Sequence, residues 1–103
     1  MVPGYLYVND RFFPVNLPLN RIIELFDEDP LKPLLEIQRF VETIINEKII
    51  EAKFYKSYIS RKTNIVIVEY LAKVKSGDVG IKIIYANNPS KALIEYYEAE
   101  KKN

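Results

Sequence analysis

This chain of 103 residues has no cysteine, histidine or tryptophan, and it has only one methionine and three glycines. Without cysteine it forms no disulfide and offers no thiolate nucleophile. Without histidine it has no imidazole for general base catalysis. Zinc and haem sites built on Cys or His ligands are excluded for the same reason. The catalytic and metal-binding chemistries that depend on cysteine or histidine are therefore excluded.

Long hydrophobic runs are also missing. No stretch approaches the roughly 20 consecutive apolar residues that a membrane span needs, and the first residues lack the basic lead and apolar core of a secretory signal. We therefore expect a soluble protein that is neither exported nor bound to a membrane. Fifteen Lys and Arg against fourteen Asp and Glu leave a net charge of +1, too weak for a dedicated nucleic-acid binder.

The spacing of apolar residues predicts an α+β fold with the element order ββααβββα. Asn9-Asp10 separates two short aromatic and β-branched runs and tolerates the left-handed backbone of a hairpin turn. Pro14 cannot donate a hydrogen bond to a sheet, so we expect its strand at an edge. The predicted strands are 5–8, 11–15, 50–59, 65–74 and 81–85.

Three helices are predicted from prolines at helix starts and from apolar stripes. The first begins at Pro18 and stops before Pro30, and the second runs unbroken from Pro30 to about Lys48. The third begins at the pair Asn88-Pro89, where the asparagine is expected to be the N-cap. The first helix is expected to bury one stripe of apolar side chains: Leu19, Ile22, Ile23 and Phe26.

Two segments of the chain resemble each other. Residues 16–28 match residues 87–99 at a constant offset of 71, with four identities in thirteen positions. Each segment follows a predicted hairpin, so the match indicates two related hairpin-plus-helix units. A chance match between two proline-capped amphipathic helices is the alternative.

The repeat predicts how the domain is organised. The related units span 4–28 and 65–102, and a helix and a strand over 29–64 connect them. Because neither unit buries its sheet face and helix stripe alone, we expect them to pack together as a single domain, 1–103. This packing predicts pseudo-two-fold symmetry and a groove where the units meet.

Acidic residues are the remaining candidates for chemistry. The run Asp27-Glu28-Asp29 offers oxygen ligands for Mg²⁺ or Ca²⁺, but it lacks the alternating spacing and central glycine of a calcium loop. Glu24 and Glu95 occupy equivalent places in the repeat, as an acid–base pair would. Helix capping and solvated helix faces are the favoured interpretations of these residues. We expect no catalytic residue, no metal and no cofactor, and hence no enzyme.

Residues 53–75 form the one basic stretch, with six Lys and Arg against the single acid Glu69. Tyrosines and a phenylalanine are interleaved with the basic residues, as in sheets that stack bases while lysines hold phosphates. Half-buried strands with protective lysines on their outer side are the alternative. The stretch makes nucleic-acid binding a hypothesis, with Lys53 and Lys56 as its first candidates.

The eight tyrosines suggest a different kind of partner. Tyrosine is enriched at protein interfaces because it offers apolar area and a hydroxyl group. A groove lined by tyrosines and strand edges suits an extended peptide that is added as a strand. The alternative is that several tyrosines cap the core with their hydroxyls in water. The candidate partner-binding residues are Tyr55, Tyr58, Tyr70, Tyr85, Tyr96, Lys53 and Lys56.

The general character of the chain resembles the small proteins of filamentous viruses that infect hyperthermophilic archaea, of the lipothrixvirus type represented by Acidianus filamentous viruses. The likeness lies in a short cysteine-free chain, rich in Ile, Lys and Tyr, with two weakly similar hairpin-helix halves. It covers the organisation of the whole chain and rests on no diagnostic residue, so it assigns no site. It implies a location in the host cytoplasm.

We thus expect a non-enzymatic protein- or peptide-interaction module that binds in the groove between the two units. Nucleic-acid binding through 53–75 is the alternative. The units pair either within one chain or across two chains of a homodimer.

Overall fold

In the computed structural model, which describes residues 2–102, the chain has an α+β fold with five strands and four helices. The elements are β1 (Gly4–Val8), β2 (Arg11–Val15), α1 (Leu19–Glu28), α2 (Lys32–Glu36), α3 (Gln38–Ile45), β3 (Glu51–Ser60), β4 (Ile65–Val74), β5 (Gly77–Tyr85) and α4 (Pro89–Lys101). The strands form one antiparallel sheet in the order β2-β1-β5-β4-β3. The predicted α+β class is confirmed.

Helices cover both faces of this sheet. On one face, which we call the three-helix face, α1, α2 and α3 pack against side chains such as Leu6, Tyr70 and Ile83. On the other, the α4 face, α4 packs against Ile67 and Ile84. Because successive strand residues point to opposite faces, the β-branched runs of β4 and β5 supply both cores at once.

Two tyrosines join the three-helix face to the loops that cross it. The Tyr70 hydroxyl donates to the carbonyl of Pro30, and the Tyr85 hydroxyl donates to the carbonyl of Leu17, each at 2.5 Å. Burial raises the pKa values of both phenols well above the ordinary value for tyrosine, so both hydroxyls stay protonated and remain donors. Gly4 lies against the Tyr85 ring, where an added Cβ would come within 2.6 Å of a ring carbon. These contacts fix the entry to α1 and the link from α1 to α2.

The first hairpin forms as its turn residues predict. Asn9 and Asp10 have φ angles of 52° and 60°, the left-handed backbone of a two-residue turn. Pro14 lies on β2, which is an edge strand, as its missing donor requires. At the other end of the chain, the Asn88 side chain accepts the Lys91 N–H at 3.1 Å and caps α4 as predicted.

The second predicted helix is wrong in its continuity. It is broken at Ile37, whose φ of −110° and ψ of 14° are not helical, so the order is ββαααβββα. The Asp29 carboxylate accepts the Leu31 N–H at 2.9 Å and caps the turn that precedes α2, which begins at Lys32. Asn46, with a φ of 58°, ends α3 earlier than expected. Leu34 on α2 and Val41 on α3 are both buried in the core of the three-helix face, so the apolar stripe expected of one helix is kept across the break.

The predicted two-fold relation between the units finds no support in the strand order. Equivalent strands, β1 with β4 and β2 with β5, point in the same direction, whereas a two-fold axis normal to the sheet would reverse them. The helices α1 and α4 also lie on opposite faces of the sheet. Because β1 pairs directly with β5, the sheet is continuous where the two hairpins meet.

Two glutamates, Glu42 on α3 and Glu47 just after it, bind segments that border the following strands. The Glu42 carboxylate accepts the Ile49 N–H at 2.8 Å, and Glu47 accepts both the N–H and the hydroxyl of Ser76. The bond from Ile49, followed by one from Gln38, keeps the pKa of Glu42 below its ordinary value. These contacts connect the end of α3 to the segment before β3 and to the turn between β4 and β5.

Tyr85→Phe tests whether the hydroxyl is structural. The variant leaves the buried Leu17 carbonyl without a donor, which we expect to lower the free energy of unfolding by about 1–3 kcal/mol in urea denaturation. Tyr55→Phe is the matched control, because Tyr55 is exposed and its hydroxyl has no hydrogen-bond partner within residues 2–102. Equal losses in the two variants would contradict this assignment.

Glu42→Gln tests the link between α3 and β3. Because the folded-state pKa of Glu42 is lowered, its contribution is present above the unfolded value of about 4.3 and is lost as the pH falls through the folded value. We expect the variant to be less stable than the wild type at neutral pH and the difference to shrink on acidification. Thermal unfolding across that range measures it. A difference independent of pH would refute the charge-based role.

Candidate functional site

Three of the seven sequence-predicted site residues lie inside the protein. Tyr70 and Tyr85 belong to the core of the three-helix face, and Tyr96 belongs to the core beneath α4. Their hydroxyls are all used within the protein, since Tyr96 donates to the Glu69 carboxylate. Burial, and then this bond to Glu69, raise the pKa of Tyr96. These three tyrosines present no surface to a partner.

The other four predicted residues all lie on β3, an edge strand. Lys53, Lys56 and Tyr58 point to the α4 face, as their pairing with β4 shows. The Tyr58 hydroxyl donates to Glu95 at 2.7 Å, and this bond raises the pKa of Tyr58. Tyr55 sits at a shift in the pairing register between β3 and β4 and is 59% exposed. The structure therefore brings these four residues together along one strand.

An apolar groove lies next to this edge strand on the three-helix face. We call it the α1–β3 groove, and its volume is about 200 Å³. Its wall is α1, which contributes Ile22, Ile23, Phe26 and Asp27. Its floor consists of Ser57 and Ile59 on β3 with Val66 and Val68 on β4. Since α1 belongs to the first hairpin unit and β4 to the second, the groove lies between parts of both units.

The rim of the α1–β3 groove carries large apolar side chains in contact with solvent. Ile59 is 66% exposed and Ile23 is 49% exposed. Ile23 was expected in the buried stripe of its helix, but its neighbour Ile22 fills that position and Ile23 points to the groove. Sequence reasoning missed Ile23 and Ile59 as site residues and considered Asp27 only as a metal ligand or part of a helix cap, because only the crossing of α1 over β3 makes these three neighbours.

The two edges of the sheet differ in what they offer to another strand. Pro14 removes one N–H donor from β2. No proline interrupts β3, and within residues 2–102 no strand pairs with its outer side. The unpaired N–H and C=O groups of β3 are a template for a further strand.

The predicted acidic residues have separate structural roles. Within the run at the end of α1, Glu28 pairs with Lys32 at 2.7 Å, Asp29 caps the next turn, and Asp27 lines the α1–β3 groove. Glu24 and Glu95 lie on helices on opposite faces of the sheet, so they do not form a pair. Among residues 2–102, no group of three or more acidic side chains is arranged to hold a metal ion.

The basic stretch is not one surface. Arg61 and Lys62 lie in the turn after β3, whereas Lys75 lies in the turn after β4, at the opposite end of the strands. Lys56 is 3.3 Å from Glu100. Lys53 has no ion-pair partner in the described part of the chain. The basic residues therefore do not form the single basic surface that the sequence suggested, because some lie at opposite ends of the strands and Lys56 is neutralised by Glu100.

A buried polar cluster holds α4 against the sheet. The Lys82 ammonium lies 3.6 Å from Glu69 and 5.5 Å from the centres of the Tyr7 and Tyr97 rings. Glu69 also accepts the Tyr96 hydroxyl, so every charge in the cluster is compensated. None of these side chains lines the α1–β3 groove.

None of the described helices is both long enough and apolar enough to cross a membrane. Comparison of the chain with protein-family models, with curated proteins and with solved structures finds no match.

A double-mutant cycle on Lys82→Met and Glu69→Gln tests the buried cluster. Lys82→Met leaves Glu69 charged and nearly buried, which we expect to cost about 3 kcal/mol of unfolding free energy in urea denaturation. The double variant should lose less than the two single losses together, by at least about 1 kcal/mol. The exposed pair Lys32 and Glu28 is the control and should show a smaller coupling. Additive losses in the buried pair would rule out the compensation.

Proposed function

We propose that this protein is a non-enzymatic interaction module that binds an extended segment of another protein. The segment adds to the outer edge of β3 as a sixth strand and inserts side chains into the α1–β3 groove. The observation that carries the proposal is the position of an open strand edge directly beside an apolar groove. The strand edge offers backbone hydrogen bonds, and the α1–β3 groove offers contacts for side chains.

The backbone of β3 provides affinity for any extended chain. In an antiparallel pair, alternate residues turn both N–H and C=O groups toward the partner strand. The outer groups of β3 have no strand partner within residues 2–102. A bound segment would satisfy them with main-chain hydrogen bonds, which is how strand addition binds peptides.

The α1–β3 groove provides the preference for particular side chains. Alternate residues of an added strand face the three-helix side, where Ile23 and Ile59 offer apolar contact. Ser57, a small residue on the floor of the groove, leaves room for an incoming side chain. Burying Ile59, which is 66% exposed, removes apolar area from water and favours binding.

Nucleic-acid binding is the second candidate. It is favoured by Lys53, which has no ion-pair partner in the described chain, and by the exposed ring of Tyr55 on the same strand. Lys56 is already paired with Glu100, which weakens this candidate.

As part of the main proposal, the protein acts in the cytoplasm of an archaeal host, as a small protein of a filamentous virus.

The proposal is tested with peptides selected on the wild-type protein from a displayed random library. We expect the selected peptides to shift the NMR signals of the 56–60 amides, and we expect Ile59→Asp to weaken binding at least about tenfold by placing a charge in the groove. Ile94→Asp is the matched control, because Ile94 is 58% exposed on α4, away from the groove, and should leave affinity unchanged.

Other outcomes would overturn the proposal. Peptides whose binding ignores Ile59→Asp, or no selected peptides at all, would exclude strand addition at β3. Single-stranded DNA or RNA binding with a steep salt dependence, lost in a variant with both Lys53→Ala and Lys56→Ala, would favour the second candidate. A stable dimer in light scattering that Ile59→Asp dissociates would show that a second copy occupies this edge.

A further inference from the structure

We infer that the segment bound at β3 carries a branched aliphatic residue followed two positions later by lysine or arginine. The aliphatic side chain lies between Ile23 and Ile59, and the basic side chain reaches Asp27. This inference rests on the proposed function and names the chemistry of its partner.

Asp27 is the first observation behind this inference. Its carboxylate lines a groove whose other lining side chains are apolar except for Ser57. Within residues 2–102 this carboxylate takes part in no ion pair and no hydrogen bond. Its acidic neighbours differ, because Glu24 pairs with Arg21 and Glu28 pairs with Lys32. Asp27 is therefore the one carboxylate of α1 available to a cation in the groove.

The direction of α1 over the sheet determines the order in which Ile23 and Asp27 lie along β3. The Phe26 ring packs edge-on against the Phe54 ring at 5.4 Å, so the C-terminal end of α1 lies toward the Phe54 end of β3. Ile23 is one helical turn earlier and lies toward Ile59. A strand beside β3 therefore meets an apolar position and then an acidic one.

The spacing of these two positions matches the repeat of a β-strand. Ile23 and Asp27 are four residues apart on α1, a rise of about 6 Å along the helix axis. Side chains on one face of a strand are two residues apart, which is about 6.6 Å. Consecutive inward side chains of an added strand can therefore contact Ile23 and Asp27 in turn.

Strand direction then fixes the order of the two residues in the partner. All strand pairs in this sheet are antiparallel, and antiparallel pairing is the more stable per residue. In an antiparallel partner, the residue beside Ile59 precedes the residue beside Ser57. The preferred order, from N to C terminus, is therefore aliphatic, any residue, basic.

Three synthetic peptides test the inference. The probe is Thr-Ser-Thr-Ile-Thr-Lys-Thr-Ser, and its two relatives carry glutamine or glutamate in place of lysine. In NMR titrations of the wild-type protein, we expect the lysine peptide to bind about threefold tighter than the glutamine peptide and about five- to tenfold tighter than the glutamate peptide. Asp27→Asn should abolish the difference, and Asp27→Lys should reverse the preference. Glu24→Gln is the control and should preserve it, because Glu24 is already paired with Arg21.

The outcomes separate this inference from the proposed function. If all three peptides shift the 56–60 amides equally, or if the preference for lysine survives Asp27→Asn, the inference is wrong while strand addition at β3 stands. If none of the peptides shifts these amides at any concentration, both fail together. A preference for the reversed sequence, basic before aliphatic, would contradict the antiparallel direction.

Discussion

Burial of the two central strands on both faces is the constraint on which the rest of this structure depends. Because helices cover both sides of β4 and β5, every side chain that is buried there must be apolar or must have its polar atoms satisfied. This requirement explains why Tyr70 and Tyr85 reach backbone carbonyls and why Lys82 lies beside Glu69. Their polar atoms connect the sheet to the loops and to α4.

The same constraint leaves the edges of the sheet as the places where a partner strand can bind. With both faces of its central strands covered and the hairpins fused into one ladder, the sheet leaves backbone groups unpaired only at its edges. Pro14 protects β2, while β3 keeps its donors and lies beside the α1–β3 groove. The candidate site is therefore a consequence of how the core is closed.

Much of the fold could be predicted because its signals are local. The hairpin at Asn9-Asp10, the cap at Asn88 and the position of Pro14 at an edge each depend on a few neighbouring residues. The break at Ile37 was not predicted, because the apolar stripe continues through it and no glycine or proline at that point signals a helix end. The repeat suggested two units but did not reveal that their helices lie on opposite faces.

The candidate site, like the fold, could be predicted only where its signals are local in the sequence. The amino-acid sequence by itself determined the fold class, an edge position for β2 and a set of tyrosines and lysines that includes those of β3, since residue type and spacing carry this information. Only the tertiary structure decided that Tyr85 is buried and bonds the Leu17 carbonyl, while Tyr55 is exposed to solvent. It also decided that Ile23, Asp27 and Ile59 line one groove. The physical reason is that burial and adjacency depend on which elements cross, and α1 crosses a strand that lies far from it along the chain.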